Sequence, residues 1–168
     1  MTKPKGFKAL RTGIAGAACA LSLAQATWAQ PEDRDPEART LEGSWTVQVT
    51  QVDCQSGAAL GSPFLSMLTF GRGGILLETT SNPMFFPALR SPGHGVWSYS
   101  PDRSFKAVSV AFITLNGKLA KTQTITQKIE LGEDRDTFKT TSASMSLVSA
   151  DGEPTISGCA IASGKRIK

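Results

Sequence analysis

The feature that most constrains the fold of this chain is a series of segments with the alternating pattern of β-strands, separated by turn residues. In the first segment Trp45, Val47 and Val49 alternate with polar residues, which gives the strand one apolar and one polar face. Glycine-bearing turns, among them Asn116-Gly117, are typical of antiparallel hairpins. The eight segments lie at about residues 43–54, 64–70, 75–80, 95–100, 104–115, 121–131, 137–149 and 155–163. This pattern predicts an all-β meander.

The N-terminal 29 residues have the composition of an export signal rather than of a folded element. Four basic residues precede a run of small apolar residues from Thr12 to Ala24, followed by small-residue cleavage positions at Ala26 and Ala29. The apolar run is too short to span a bilayer. We therefore expect residues 1–29 to be removed, residues 30–41 to form a flexible charged tail, and the mature protein to be periplasmic or secreted.

Loss of the signal changes the charge of the chain. The sequence has 18 lysines and arginines against 14 aspartates and glutamates. Four of the basic residues lie in the signal, so 18 − 4 = 14 basic residues face 14 acidic ones in the mature chain. A net charge near zero argues against nucleic-acid binding. The sequence has no second apolar segment that would predict a membrane span.

The two cysteines beyond the signal are expected to form a disulfide, because export places them in an oxidising compartment. A metal site would need more ligands, and His94 is the only histidine in the sequence. We therefore predict a Cys54–Cys159 disulfide and neither a metal ion nor another cofactor.

Closure of the meander into a barrel would remove the two exposed edges that a flat sheet leaves. It requires the first strand to pair with the last, and opposed residues in an antiparallel pair have a constant sum of residue numbers. Cys54 and Cys159 sum to 213, and Trp45 and Arg166 sum to 211. A difference of two corresponds to a diagonal neighbour or one bulge. We therefore predict an eight-stranded up-and-down barrel over residues 42–168, with Arg166 against the ring of Trp45.

Gly43-Ser44-Trp45, together with Arg166 after the last strand, resembles the Gly-x-Trp and closing-arginine pair of the lipocalins and the wider calycin superfamily. The resemblance implies that the tryptophan caps the closed end of the barrel and the arginine packs over it. The stretch "TTSNP…RSPGHGVWS" is similar to a group of short exported bacterial proteins, lipocalin-like in outline, with no assigned activity.

The loop at residues 81–94 carries three consecutive large apolar residues, Met84, Phe85 and Phe86, between prolines. In a meander this loop shares one rim with the loop at 55–63, and in lipocalin-like barrels the rim with the long loops is the ligand entrance. We expect the apolar residues to cover the mouth as a lid. They can also plug the barrel as core or form a surface for a partner.

Polar and aromatic residues near this rim are the candidate ligand contacts. Gln123 and Gln127 share one face of strand six and, if that face is inward, place two amides inside the barrel. Trp97 and Tyr99 share one face of their strand, where they form either the wall of a pocket or ordinary core. The further candidates are Asn82, Arg90 and His94 as polar contacts and Phe112 as wall.

The sequence favours binding of a small, largely apolar molecule and shows no catalytic constellation. One alternative is an enzyme of the cyclase or isomerase kind, resembling allene oxide cyclase, which works mainly by holding its substrate in shape. Another is a protein-binding module, such as a periplasmic protease inhibitor, in which the tail or the loop inserts into a partner.

Overall fold

The computed structural model describes residues 41–168, and the expected signal and all of the expected tail except Leu41 lie outside these residues. Leu41 itself is fully buried, so it belongs to the packed domain rather than to a flexible tail. The strands are β1 (Gly43–Val52), β2 (Phe64–Gly71), β3 (Ile75–Thr80), β4 (Leu89–Arg90), β5 (Gly93–Ser100), β6 (Ser104–Leu115), β7 (Lys118–Leu131), β8 (Thr137–Ser149) and β9 (Pro154–Arg166). The eight strands predicted from the alternating pattern are confirmed, and the two-residue β4 is an addition.

The strands form one closed antiparallel barrel. The sheet runs β4-β6-β5-β3-β2-β1-β9-β8-β7, and a further pairing of β6 with β7 closes it. Eight strands make the wall, while β4 pairs with the end of β6 beyond β5. The predicted all-β, up-and-down barrel is confirmed, and no sheet edge runs the length of the wall.

The pairing of the first strand with the last follows the predicted register. Trp45 lies opposite Arg166 and Val52 opposite Cys159. Cys54 is therefore the diagonal neighbour of Cys159, and the two are joined by a disulfide with a Cα–Cα distance of 5.2 Å. The bond closes a loop with a sequence separation of 105 residues. In the chain-entropy model this contributes about 4–5 kcal/mol to stability.

The closed end of the barrel is filled by aromatic side chains around Trp45. Its ring meets Phe138 edge-on at 5.1 Å between centroids, and its indole N–H donates to the carbonyl of Leu41 at 3.0 Å. The guanidinium of Arg166 lies over the Trp45 ring at 4.2 Å from the centroid. A side chain at Gly43 would place a Cβ 2.8 Å from this guanidinium, and Gly43 has φ +128°, a conformation that favours glycine. The Gly-x-Trp and arginine pattern thus builds one cap.

The inward faces of the strands divide into two levels. The aromatic core occupies the end of the barrel with the tight turns, where the indole N–H of Trp97 donates to the carbonyl of Gly71 at 3.0 Å. The longer connections, 53–63 and 81–92, lie at the other end. The barrel is therefore packed solid at one end and bounded by loops at the other.

The outer face of the barrel is less polar than the alternating pattern predicts. Large apolar side chains from β2, β3, β5 and β6 are exposed on adjacent strands; they include Leu65, Met67, Ile75, Leu77, Val96 and Phe112. Among residues 41–168, no helix is both long and apolar enough to cross a membrane.

Candidate functional site

A partly open cavity of about 90 Å³ lies between the aromatic core and the loop end of the barrel. Its wall is mostly apolar and includes Val47, Val49, Leu68, Ile125 and Ala162. Apolar side chains from β1, β2, β7 and β9 therefore surround the space on several sides. Polar and charged side chains also line it, among them Ser66, Glu78, Arg90, Gln123 and Gln127. An apolar wall with fixed polar contacts is typical of small-molecule sites.

The most deeply buried polar group in the wall is an ion pair between Arg90 and Glu78. Each side chain is only 4 % exposed, and the Arg90 guanidinium donates directly to Oε1 of Glu78. The second oxygen, Oε2, accepts from the hydroxyl of Ser109 at 3.1 Å. Both carboxylate oxygens are thus engaged, as burial of a charged group requires.

Three strands place this pair. Glu78 follows Leu76 on the inward face of β3, so the period-2 alternation turns the carboxylate into the barrel. Gly93 lies opposite Glu78 in β5, and any side chain there would collide with the carboxylate. Arg90 comes from β4, which pairs with Ile113 of β6 and so directs the arginine toward the interior.

Gln123 extends the network along β7. Its Oε1 accepts from Nε of Arg90 at 2.6 Å, and the same guanidinium donates to the carbonyl of Ser91 at 3.2 Å. The amide oxygen of Gln123 is therefore committed to Arg90. Its NH₂ group makes no hydrogen bond with the rest of residues 41–168.

Gln127 is the second amide predicted to face inward, and it is only 7 % exposed on the cavity wall. Within the described part of the chain its side-chain amide has no hydrogen-bond partner. No fully buried side-chain nitrogen or oxygen among the described residues lacks a partner, so the Gln127 amide is reachable from the cavity, where a water molecule or a ligand can bind it. Gln127 therefore offers both its amide oxygen and its NH₂ group to a molecule in the cavity.

The loop between β3 and β5 covers part of the cavity. Asn82 begins a single 3₁₀ turn, Pro83–Phe85, by accepting from the backbone N–H of Met84 at 3.0 Å. Phe85 reaches the cavity wall, where its ring centroid lies 5.8 Å from the Arg90 guanidinium carbon. Met84 and Phe86 point to solvent, with 77 % and 87 % of their surface exposed. One of the three apolar residues thus faces the cavity, and Asn82 lines it too.

The remaining candidates lie away from the cavity. Trp97 and Tyr99 pack with Phe105 in the aromatic core at the closed end, which is the core alternative considered for them. His94 and Phe112 are exposed on the outer face of the barrel. His94 therefore lies on the outside of the barrel, away from the cavity. The candidates that the structure brings together at the cavity are Asn82, Phe85, Arg90, Gln123 and Gln127.

Glu78 is the important cavity residue that the sequence reasoning missed. It stands as a lone carboxylate in the segment ILLETT, two residues after Leu76 and therefore on the same face. A charged residue at an inward position of an otherwise apolar strand is a detectable signal for a buried polar site.

The turn after β1, near the disulfide, is held by hydrogen bonds to one side chain. Oδ1 of Asp53 accepts from the backbone N–H of Ser56 at 2.7 Å, from the Ser56 hydroxyl at 2.9 Å and from the backbone N–H of Gln55 at 3.1 Å. The pKa of Asp53 is lowered from its ordinary value, first by the Ser56 backbone N–H, then by the Ser56 hydroxyl and the Gln55 N–H.

No protein-family model matches this sequence, and no curated protein is significantly similar to it. The class that the fold itself defines is a closed eight-stranded antiparallel barrel, compatible with a calycin-like fold. Its disulfide is of the kind that persists in oxidising compartments.

Proposed function

We propose that this chain is an exported protein that binds a small, largely apolar molecule inside its barrel. The observation that carries the proposal is the cavity in the barrel, whose mostly apolar wall presents the Gln127 amide, which has no hydrogen-bond partner among residues 41–168. An apolar ligand removes the wall from water, and one polar group on it satisfies the amide.

The loop that ends in β4 supports the same proposal. It supplies Asn82, Phe85 and Arg90 to the cavity from one continuous segment. Movement of this segment would open the cavity, and its return would bury the ligand. The loop then acts as a lid whose inner face is Phe85 and whose outer face is formed by Met84 and Phe86.

Native mass spectrometry of protein purified from the cells that produce it tests the proposal. We expect the wild-type protein to carry a small-molecule adduct. Ala143→Phe should remove it, because a phenyl ring at this cavity position fills the space. Ser142→Phe is the matched control, since the neighbouring residue is exposed on the same strand and its replacement should leave the adduct in place.

Absence of an adduct from the wild-type protein, together with no binding of apolar probes in solution, would contradict the proposal. Equal adduct occupancy in Ala143→Phe and Ser142→Phe would show that the molecule sits elsewhere.

A second candidate function, binding of a protein partner, is favoured by the exposed apolar side chains on the outer face of β2, β3, β5 and β6. The same spectra separate the two candidates. A protein partner would appear as a macromolecular complex that survives Ala143→Phe.

A further inference from the structure

We infer that the cavity selects an uncharged ligand whose polar end is a hydrogen-bonding group such as a primary amide, and that it rejects carboxylates and amines. This inference rests on the proposed small-molecule function and adds the chemical class of the ligand. It follows from the charge balance of the cavity and from the positions of its two glutamine amides.

The charge balance of the cavity wall is closed within the protein. Among residues 41–168, Glu78 and Arg90 are the charged side chains that line the space, and they bind each other directly. Oε2 of Glu78 is also taken by Ser109, and the Arg90 Nε–H by Gln123. A ligand therefore meets an ion pair of zero net charge. Both carboxylate oxygens of Glu78 and the Nε–H of Arg90 already have hydrogen-bond partners within the protein.

A charged ligand would have to break this pair. A carboxylate could gain the full charge of Arg90 only by displacing Glu78, which would leave a buried carboxylate without its cation. An ammonium group could pair with Glu78 only by displacing Arg90, which would leave a buried guanidinium without its anion. An uncharged ligand leaves the pair intact and avoids both costs.

The uncommitted polar groups of the wall match an uncharged partner. Gln127 offers both a carbonyl oxygen and an NH₂ group, neither of which is paired with a described residue. Gln123 offers only its NH₂ group, because Arg90 occupies its oxygen. A primary amide on the ligand can donate to and accept from Gln127 at the same time.

The position of the two glutamines also indicates how the ligand lies. They are four residues apart on one face of β7, which places their Cα atoms about 13 Å apart along the strand. Ile125 lies between them on the cavity wall. Gln127 is nearer to the aromatic core and Gln123 nearer to the loops. The amide end of the ligand therefore enters first and its apolar chain extends along Ile125 toward Phe85.

Three eight-carbon probes with different head groups test the inference: octanamide, octanoate and octylamine, titrated into the purified protein at pH 7 by isothermal calorimetry. At this pH the carboxylate and the ammonium are both charged. We expect octanamide to bind at least about tenfold more tightly than either charged probe. Octanoate or octylamine binding as tightly as octanamide would overturn the inference.

Two variants, Glu78→Gln and Gln127→Leu, and one control, Glu130→Gln, locate the selectivity. Glu78→Gln removes the internal partner of Arg90, so octanoate should gain about tenfold in affinity while octanamide changes little. Glu130→Gln makes the same charge change on the outer face, where Glu130 pairs with Lys139 at 3.4 Å, and octanoate should remain weak. Gln127→Leu keeps the size of the side chain but removes its amide, and octanamide should lose about five- to tenfold.

The outcomes separate this inference from the proposed function. Near-ultraviolet circular dichroism shows whether Glu78→Gln folds. If it does not, the affinities of the wild-type protein for the three probes and the affinity of Gln127→Leu for octanamide test the inference. If native spectra show an adduct in the cavity but octanoate is preferred, or none of the three probes binds, the inference is wrong and the binding function stands. If neither adduct nor probe is bound, both fail.

Discussion

At the scale of single residues, Arg166 shows how one side chain closes the barrel. Its NH1 donates to the carbonyl of Glu42 at 2.6 Å, while Nε and NH2 both donate to the carbonyl of Arg135, at 3.1 and 2.7 Å. The guanidinium plane covers Trp45 at the same time. The residue thus joins β1, the turn before β8 and the end of β9.

Replacing Arg166 with lysine should therefore destabilise the protein although the charge is kept. An ammonium group cannot reproduce the planar fork or stack on the indole ring, so we expect a loss of about 1–3 kcal/mol in the free energy of unfolding. Urea unfolding measures this loss. Arg72→Lys is the control, because that side chain is 89 % exposed and its replacement should have little effect. Equal unfolding midpoints for the two variants would contradict the role assigned to Arg166.

The residue scale is also where the sequence predicted least of the site. The inward positions of Gln123 and Gln127 follow from alternation along β7. Phe112 lies in a segment that is apolar on both faces, so alternation could not say which face is inward. His94 shares the outward face with Val96 once β5 begins at Gly93, two residues before the predicted start at 95. The Glu78–Arg90 pair depends on β4, whose two residues carry no strand pattern of their own.

At the scale of elements, the turns fix where the strands end. The turn after β1 is held by Asp53, whose pKa lies below the ordinary value of 3.8 because its carboxylate accepts hydrogen bonds from Ser56 and Gln55. A carboxylate with a lowered pKa in the folded state stabilises that state above the unfolded pKa. The stabilisation is lost as the pH falls through the lower, folded value.

We therefore expect the Asp53 carboxyl to titrate below 3.8, and carbon NMR of the side chain measures this midpoint. Ser56→Ala removes the hydroxyl hydrogen bond but keeps the backbone one, so the pKa should rise part of the way toward 3.8. A midpoint at or above 3.8 in the wild-type protein, or no change in Ser56→Ala, would show that the turn is not held in this way.

The element scale was the most predictable from the sequence. Strand alternation is a local property, and the sums of residue numbers for two pairs predicted the register of β1 with β9 that the structure has. The exception is the loop from 81 to 92. Its course depends on Asn82, on a 3₁₀ turn and on β4 reaching β6, contacts between segments that alternation does not describe.

At the scale of the whole molecule, the barrel has an end filled by aromatic rings and an end with a cavity beneath a loop. A closed sheet removes unpaired edges, and its filled end supplies the stability that an empty space does not. The cavity then carries a buried ion pair and an unpaired amide, features that a barrel built only for stability does not need. Ligand binding in this cavity is the central claim of the account.

The most direct test of this claim is a titration of isotope-labelled protein with octanamide, followed through the side-chain NH₂ signals of Gln123 and Gln127 by nitrogen–proton NMR. The account predicts that the NH₂ signals of both glutamines shift and saturate as octanamide is added, with the larger shift at Gln127. The backbone amide signals of Met67 and Val96 on the outer face should not shift. Saturable binding of octanamide that shifts only outer-face signals and leaves both glutamine amides unmoved would contradict it.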